Sequence, residues 1–356
     1  IMAYTTIDDP SAYFQTALFT GNDTARAITN DGNSDLAPDW VWIKCRSATG
    51  NHGLFDSSRG VNKRLASDED TAELTSQSNL LTAFSSDGFS LGNDSNDYSI
   101  NENTKTFVAW QWKANGGTRT TVTESGANPG GGHQSDTTAG FSIVDYVGTG
   151  GAGHITHGLG VVPEAIIIKN RDEAESWLIY HAKLGNGKGL RLDTTAAADT
   201  TANHWANTTP NANTIVIGGN PPNNKDAINY IAYCFASVKG YSKFGSYEGN
   251  GNNDGPFLYT GFKPAVFFRK RTDGANGWNI WDNKRAPFNE MHASSAIHTT
   301  AVEDANTGYN DVDFLSNGIK IHDTGDSHNG DGFSYVYWAW AESPFVSSKG
   351  TPTTAR

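Results

Sequence analysis

Apolar and polar positions along the 356-residue chain alternate mostly with a period of two, the period of a strand whose side chains point to opposite faces. The clearest run is Phe107-Val108-Ala109-Trp110-Gln111-Trp112. One face carries Val108, Trp110 and Trp112, and the other ends on the moderate-sized Gln111. The run returns as residues 230–235, with Ile231, Tyr233 and Phe235 against Cys234, and as residues 335–340, with Val336, Trp338 and Trp340 against Ala339. The large face is expected to fill a core, with Trp110, Tyr233 and Trp338 in equivalent cores. The small face should let another sheet, loop or repeat approach.

Two further segments recur in the same order ahead of each closing run. A short aromatic strand precedes a Gly-containing turn at residues 14–19 with Thr20-Gly21-Asn22, 141–146 with Val147-Gly148-Thr149-Gly150, and 241–247 with Glu248-Gly249-Asn250-Gly251. A Pro-led strand then ends in a basic-x-Arg pair: Pro38 to Lys44/Arg46, Pro163 to Lys169/Arg171, and, one residue shorter, Pro264 to Arg269/Arg271. These strands are apolar on both faces at their centres (Trp42 and Ile43, Ile167 and Ile168, Phe267 and Phe268), the pattern of a strand covered on both sides. A second aromatic strand follows each at Phe55-Asp56, residues 177–181 and residues 278–282.

Three ordered recurrences mean one unit used three times. The expected fold class is all-β, three tandem β-sandwich-like modules of about 100 residues, with a closed barrel as the alternative. The boundaries fall at 1–115, 140–239 and 240–345, with 116–139 as a Gly/Thr/Ser-rich linker or long loop and 346–356 as a C-terminal tail. Copies two and three, joined at Lys239-Gly240, are expected to pack as a unit. Helix is sparse; residues 67–76, with Asp68, Glu69, Asp70 and Glu73, predict one short helix.

Composition changes this picture only at its edges. The 39 glycines and the many Asn, Asp, Ser and Thr residues supply turns, and 11% aromatic content excludes disorder. A net charge of −12 leaves no basic face for a phosphate backbone, so nucleic acid is not an expected partner. No run of eighteen apolar residues predicts membrane insertion, and no secretory leader is visible; Met2 reads as the natural start, with Ile1 a remnant before it. Cys45 and Cys234 lie in apolar strand-like runs and are expected to be buried free thiols.

Chemical motifs are weak throughout. Gly148-Thr149-Gly150-Gly151-Ala152-Gly153 has dinucleotide-loop spacing, but no helix pattern follows to meet a pyrophosphate. His154 and His157, three apart on an extended segment, face opposite sides and no Cys or acidic cluster joins them, so a metal is not expected there. Asp323, Asp326, Asn329 and Asp331 crowd one Gly-rich loop and are the weak candidate for calcium, with a plain hairpin turn as the expectation; the run Asn93-Asp94-Ser95-Asn96-Asp97 is weaker still. No carboxylate pair stands out for glycosidic hydrolysis. The basic pairs Lys44/Arg46, Lys169/Arg171 and Arg269/Arg271 have the charge to bind anionic sugars, but their repetition argues for structure, through salt bridges to Asp56 or Asp282; His181 stands at that place in copy two. No cofactor and no catalytic residue is expected.

The opening Met2-Ala3-Tyr4-Thr5-Thr6-Ile7-Asp8-Asp9-Pro10-Ser11-Ala12-Tyr13-Phe14 resembles the start of structural proteins of marine phages, cyanophages and their relatives. Lys44-Cys45-Arg46 with Phe55-Asp56-Ser57-Ser58-Arg59-Gly60, Tyr230-Ile231-Ala232-Tyr233-Cys234-Phe235, Tyr241-Ser242-Lys243-Phe244-Gly245-Ser246-Tyr247 and Trp340-Ala341-Glu342-Ser343-Pro344-Phe345 carry the likeness along nearly the whole chain, down to Ala355-Arg356. The resemblance implies a non-enzymatic, tail-fibre-like virion protein: a fibre, spike or capsid-attached decoration on the outer surface of tail or capsid, involved in host adhesion. Its implied partners are other virion proteins and itself, a trimer being the common order of fibres and spikes. The alternatives are a lectin-like module that binds a host-surface glycan, with Trp205 or Trp278 stacking on sugar, and, ranked lower, a glycan-cleaving tailspike.

Overall fold

The computed structural model describes residues 4–93, 100–200, 203–305 and 311–353. The chain is all-β, built from antiparallel sheets, with one 3-10 turn among the described residues, at Pro10–Ala12. No helix among the described residues is long and apolar enough to cross a membrane.

Each copy builds a main sheet in one strand order: first strand, closing strand, Pro-led strand, second aromatic strand. In module 1 these are Phe14–Thr20, Thr106–Trp112, Trp40–Cys45 and Gly53–Asp56. In module 2 they are Phe141–Val147, Asn229–Phe235, Ala165–Asn170 and Leu178–His181, and in module 3 Ser242–Glu248, Ser334–Pro344, Phe262–Arg271 and Trp278–Asp282. The register repeats as well. Trp110 lies between Thr16 and Trp42, Tyr233 between Ile143 and Ile167, and Trp338 between Phe244 and Phe268.

One face of each main sheet is covered by a small sheet from its own module: Arg26–Ile28, Leu81–Phe84 and Phe89–Leu91; Gly153–Thr156 and Thr214–Ile217; Phe257–Tyr259, Asp311–Leu315 and Gly318–His322. Val41, Ile43, Cys45 and Ala109 pack there in module 1, and Ile166, Ile168, Ala232 and Cys234 in module 2. This is the small-residue face of the closing strand, as the alternation predicts. Cys45 and Cys234 are free and buried in it.

The large faces do not fill three separate cores. Trp40, Trp42, Trp110 and Trp112, Ile143, Ile167, Tyr233 and Phe235, and Phe244, Phe268, Trp338 and Trp340 belong to one cluster. The three main sheets turn these faces inward around a common pseudo-threefold axis, so Trp110, Tyr233 and Trp338 occupy equivalent positions in one shared core. The physical reason is area: three rows of large aromatics need an apolar surface opposite, and the neighbouring modules supply it. All ten tryptophans are buried, Trp205 and Trp278 among them, which corrects their assignment as exposed sugar-stacking rings.

Trp40 shows how unequal residues fill the shared space. Modules 2 and 3 have Ala165 and Val266 at its register position, and its ring stacks on Tyr233 of module 2 at 4.3 Å while packing on Trp112 of its own sheet at 4.6 Å. Trp40→Ala is expected to cost about 3–5 kcal/mol in denaturant unfolding, since it opens a cavity bounded by two modules. Trp40→Phe should cost well under half of that.

Two local expectations need correction. Residues 116–139 are not a linker: Thr120–Val122 and Gly131–Asp136 extend the module 2 sheet beyond Phe141–Val147. Polar Gly- and Thr-rich composition hides an edge hairpin whose outer strand, Thr120–Val122, faces solvent, because an edge needs no apolar alternation. Residues 67–76 are extended rather than helical; Arg64 bridges Leu74, and the segment reaches module 2 through Glu73 N to Arg171 O at 2.8 Å and Glu175 N to Asp70 O at 2.8 Å. Modules 2 and 3 therefore do not form a unit apart from module 1; each module touches both others.

Candidate functional site

The Pro-led strands point a lysine at position six after the proline into each module boundary. These are Lys44, Lys169 and Lys270, all fully buried. Lys169 Nζ donates to Glu175 O of its own module at 2.7 Å and to Asp70 O of module 1 at 2.9 Å. Lys44 Nζ donates to Gly50 O at 3.0 Å and to Thr300 O of module 3 at 3.2 Å. Lys270 Nζ donates to Asn276 O and, at 2.9 Å, to Thr195 O of module 2. The contacts run one way around the axis and close on themselves. Burial pushes the Lys270 ammonium down to about 7, with Arg269 and Arg271 adding to it, and pushes Lys169 down to about 8 against the pull of Asp193, Asp70 and Glu175.

This arrangement corrects the expected basic-x-Arg repeat in module 3. Counted from its proline, Lys270 matches Lys44 and Lys169, and Thr272 matches Arg46 and Arg171: Arg46, Arg171 and Thr272 donate their backbone N–H groups to Thr106, Asn229 and Ser334. Arg269 and Arg271 instead face the small sheet, at the places of Ile43/Ile168 and Cys45/Asn170. Arg269 is buried, donates to Ser327 O, and lies over Trp281 at 5.1 Å. Arg271 pairs with Asp273 at 2.7 Å and lies 3.4 Å from the Phe333 ring centre.

The expected salt bridges from the basic pairs to Asp56 and Asp282 are also absent, for a geometric reason. Each aspartate is held by the arginine three residues later, Arg59 or Arg285, closing the turn after its strand. The next module then completes the pair: Tyr233 Oη donates to Asp56 Oδ2 at 2.7 Å, and Trp110 Nε1 to Asp282 Oδ2 at 3.0 Å. Two glutamates join them. Glu73 bridges Arg59 and Arg171, each at 2.8 Å, and Glu303 bridges Arg46 at 2.8 Å and Arg285 at 3.1 Å. Burial raises the pKa of both glutamates, but their paired arginines outweigh it and hold them below the usual carboxylate range.

The third boundary, between modules 2 and 3, repeats the backbone and drops the charges. His181, Leu184, Ala198 and Thr272 stand where the other two have Asp, Arg, Glu and Arg; Ala198 N still donates to Thr272 O at 2.8 Å, as Glu73 does to Arg171 O and Glu303 to Arg46 O. The indole N–H of Trp338 finds no acceptor there among the described residues. Burial holds His181 neutral, pushing it down to about 4. A second ring of contacts survives at all three boundaries: His52 to Ala296 O, Trp177 to Ala66 O and Trp278 to Arg191 O, at 3.1, 2.8 and 2.8 Å.

Asn329, a candidate calcium ligand, is one of a threefold set that sequence reading missed. Asn101, Asn224 and Asn329, six residues ahead of Phe107, Tyr230 and Tyr335, are fully buried and clamp the Gly turn of the first strand. Their Oδ1 atoms accept from Asn22, Thr149 and Asn250 N–H. A Cβ on Gly21, Gly148 or Gly249 would collide with the carbonyl of the residue after the asparagine. With its amide donating to Asn250 Oδ1, Asn252 O and Asp323 O, Asn329 organises the loop as a donor, the wrong polarity for a cation. Asp323 caps Gly325 N at 2.8 Å, Asp326 lies 3.6 Å from Arg271, and Asp331 is exposed. No group of three or more His, Cys, Asp or Glu among the described residues is placed to hold a metal ion. In the other calcium run, residues 94–97 lie outside the described residues. His154 is exposed while His157 is buried against Asn211 O, and a strand, Gly153–Thr156, follows the Gly-rich turn.

Clefts open where modules and hairpins meet. One of about 900 Å³ lies on module 3 between the turn after Trp278–Asp282 and residues 314–317. A smaller one of about 230 Å³ shares Asn283, Lys284 and Glu342 with it and reaches Phe14, Gln15 and Thr16 of module 1.

No curated protein and no solved structure matches the chain. One family model matches residues 9–344, across all three modules, so the chain belongs to the family described as a domain of unknown function, DUF7483.

Proposed function

We propose that this protein is a structural component of the exterior of a bacteriophage particle, a tail fibre, spike or capsid-attached decoration that takes part in host adhesion and performs no catalysis. The observation that carries the reading is the closed ring of module boundaries. The buried lysines, arginines, aspartates and glutamates described above are bonded across or beside those boundaries, where they hold three sheets in one geometry. Rigidity of this kind suits a body that must survive outside a cell, and the likeness of its motifs to phage structural proteins supports the same assignment. Other virion proteins and further copies of the chain are its proposed partners, with a trimer as the proposed assembly.

Imaging intact particles at side-chain resolution tests the assignment: the three-module body should be found on the tail or capsid surface, and particles lacking it there would overturn the reading. Incubation with host polysaccharide addresses the tailspike alternative, with no new reducing ends expected.

A further inference from the structure

From the cleft on module 3 we infer that the protein binds a neutral oligosaccharide there, with Phe288 as its stacking platform; this deepens the adhesive reading and rests on it. Phe288 is 76% exposed, in a chain whose tryptophans are all buried. The repeat itself acts as an internal control. Counted from Asp56, His181 and Asp282, the place of Phe288 holds Asn62 in module 1 and Gly187 in module 2. The module folds twice without an aromatic at this point, so packing does not require one. An exposed ring against a polar wall is the arrangement that stacks on the C–H face of a pyranose.

The polar wall selects against charge. Lys263 pairs with Glu342 at 2.7 Å, Asn283 Nδ2 donates to Glu342 Oε2 at 2.8 Å, and Lys284 pairs with Asp31 of module 1 at 2.7 Å. An ionic ligand would meet charges already compensated by their partners. Sugar hydroxyls, which donate and accept, can instead bridge their remaining lone pairs and N–H groups. At about 900 Å³, and sharing Asn283, Lys284 and Glu342 with the smaller cleft at the boundary with module 1, the space has the volume of a ligand site.

The test is saturation-transfer NMR and calorimetry with maltohexaose, cellohexaose, chitohexaose and mannohexaose, beside the acidic hexamers of galacturonate and sialate. The full chain is compared with Phe288→Ala and, as an exposed control in module 2, Val161→Ala. At least one neutral hexamer should bind, Phe288→Ala should weaken it at least tenfold with an unchanged unfolding midpoint, and Val161→Ala should change nothing. Binding of acidic hexamers only, binding of none, or equal binding by Phe288→Ala would overturn the site. Labelled wild-type protein adhering to host cells in any of those cases would leave the adhesive reading standing without this cleft.

Discussion

Asp56→Ala and Asp282→Ala are each expected to destabilise the chain by about 3–5 kcal/mol, the usual cost of removing one partner from a buried ionic network. Removing Asp56 leaves the enclosed Arg59 guanidinium with Glu73 alone, a carboxylate that Arg171 shares, and takes the acceptor from Tyr233 Oη of the next module. Removing Asp282 does the same to Arg285 and Trp110. The chain also contains its own reference for what the charges contribute. At the boundary between modules 2 and 3 the same backbone contacts form around His181, Leu184, Ala198 and Thr272. Copying that set into module 1 and its neighbour, as Asp56→His, Arg59→Leu, Glu73→Ala and Arg171→Thr together, should therefore cost no more than half of what Asp56→Ala alone costs. Replacing a buried ionic network whole is often near neutral, whereas breaking it is not. Urea unfolding with linear extrapolation reads both quantities. A single-variant loss below 1 kcal/mol, or a fourfold variant less stable than Asp56→Ala, would contradict the account.

The repeats, the strand order and the equivalence of Trp110, Tyr233 and Trp338 are legible in the sequence because a strand prints its two faces as alternation. What covers each face is not printed. The Pro-led strands, apolar on both sides, announce two coverings, but Trp42 and Phe268 meet across a molecular axis at 5.9 Å through pairing that no local pattern encodes. Glu73 and Glu303 were illegible for a related reason. They sit in irregular extended segments, where neither period applies, and their acidity reads as solvated surface until the arginines of another module are beside them. The misplaced Arg269/Arg271 pair had a remedy within the sequence: counting from the proline finds Lys270 at once, whereas matching residue type shifts the register by one and turns every side chain to the wrong face. The asparagine clamp had a signal too, a fixed offset from the closing aromatic.

Stability should fall steeply as pH drops from 6.5 to 4.5, and the histidines set the slope. His52, His181 and His328 are enclosed. Burial is the first cause of a lowered pKa in each, aided by Lys44 and Arg64 at His52, by Lys183 at His181 and by Arg269 at His328. Their folded values lie below the ordinary 6.5, near 4 for His181. Between the folded and unfolded values, the unfolded chain binds protons that the folded chain refuses. Stability therefore rises with pH in that window, by up to about 1.4 kcal/mol per pH unit for each histidine. Lys270 extends the trend at the other end: folded near 7 and ordinarily 10.5, it makes the native state gain stability as pH rises between those values. The shifts of His181 and Lys270 have one origin, basic groups enclosed at the boundary of modules 2 and 3 where the Asp and Glu of the other two are replaced, so the optimum should lie above pH 7. His181→Gln should remove one proton's worth of slope between pH 6.5 and 4.5, and Lys270→Met should flatten the rise between pH 7.5 and 9.5. A urea midpoint that holds level from pH 6.5 to 4.5, or a slope unmoved by His181→Gln, would mean that this histidine is not held neutral by the packing of modules 2 and 3.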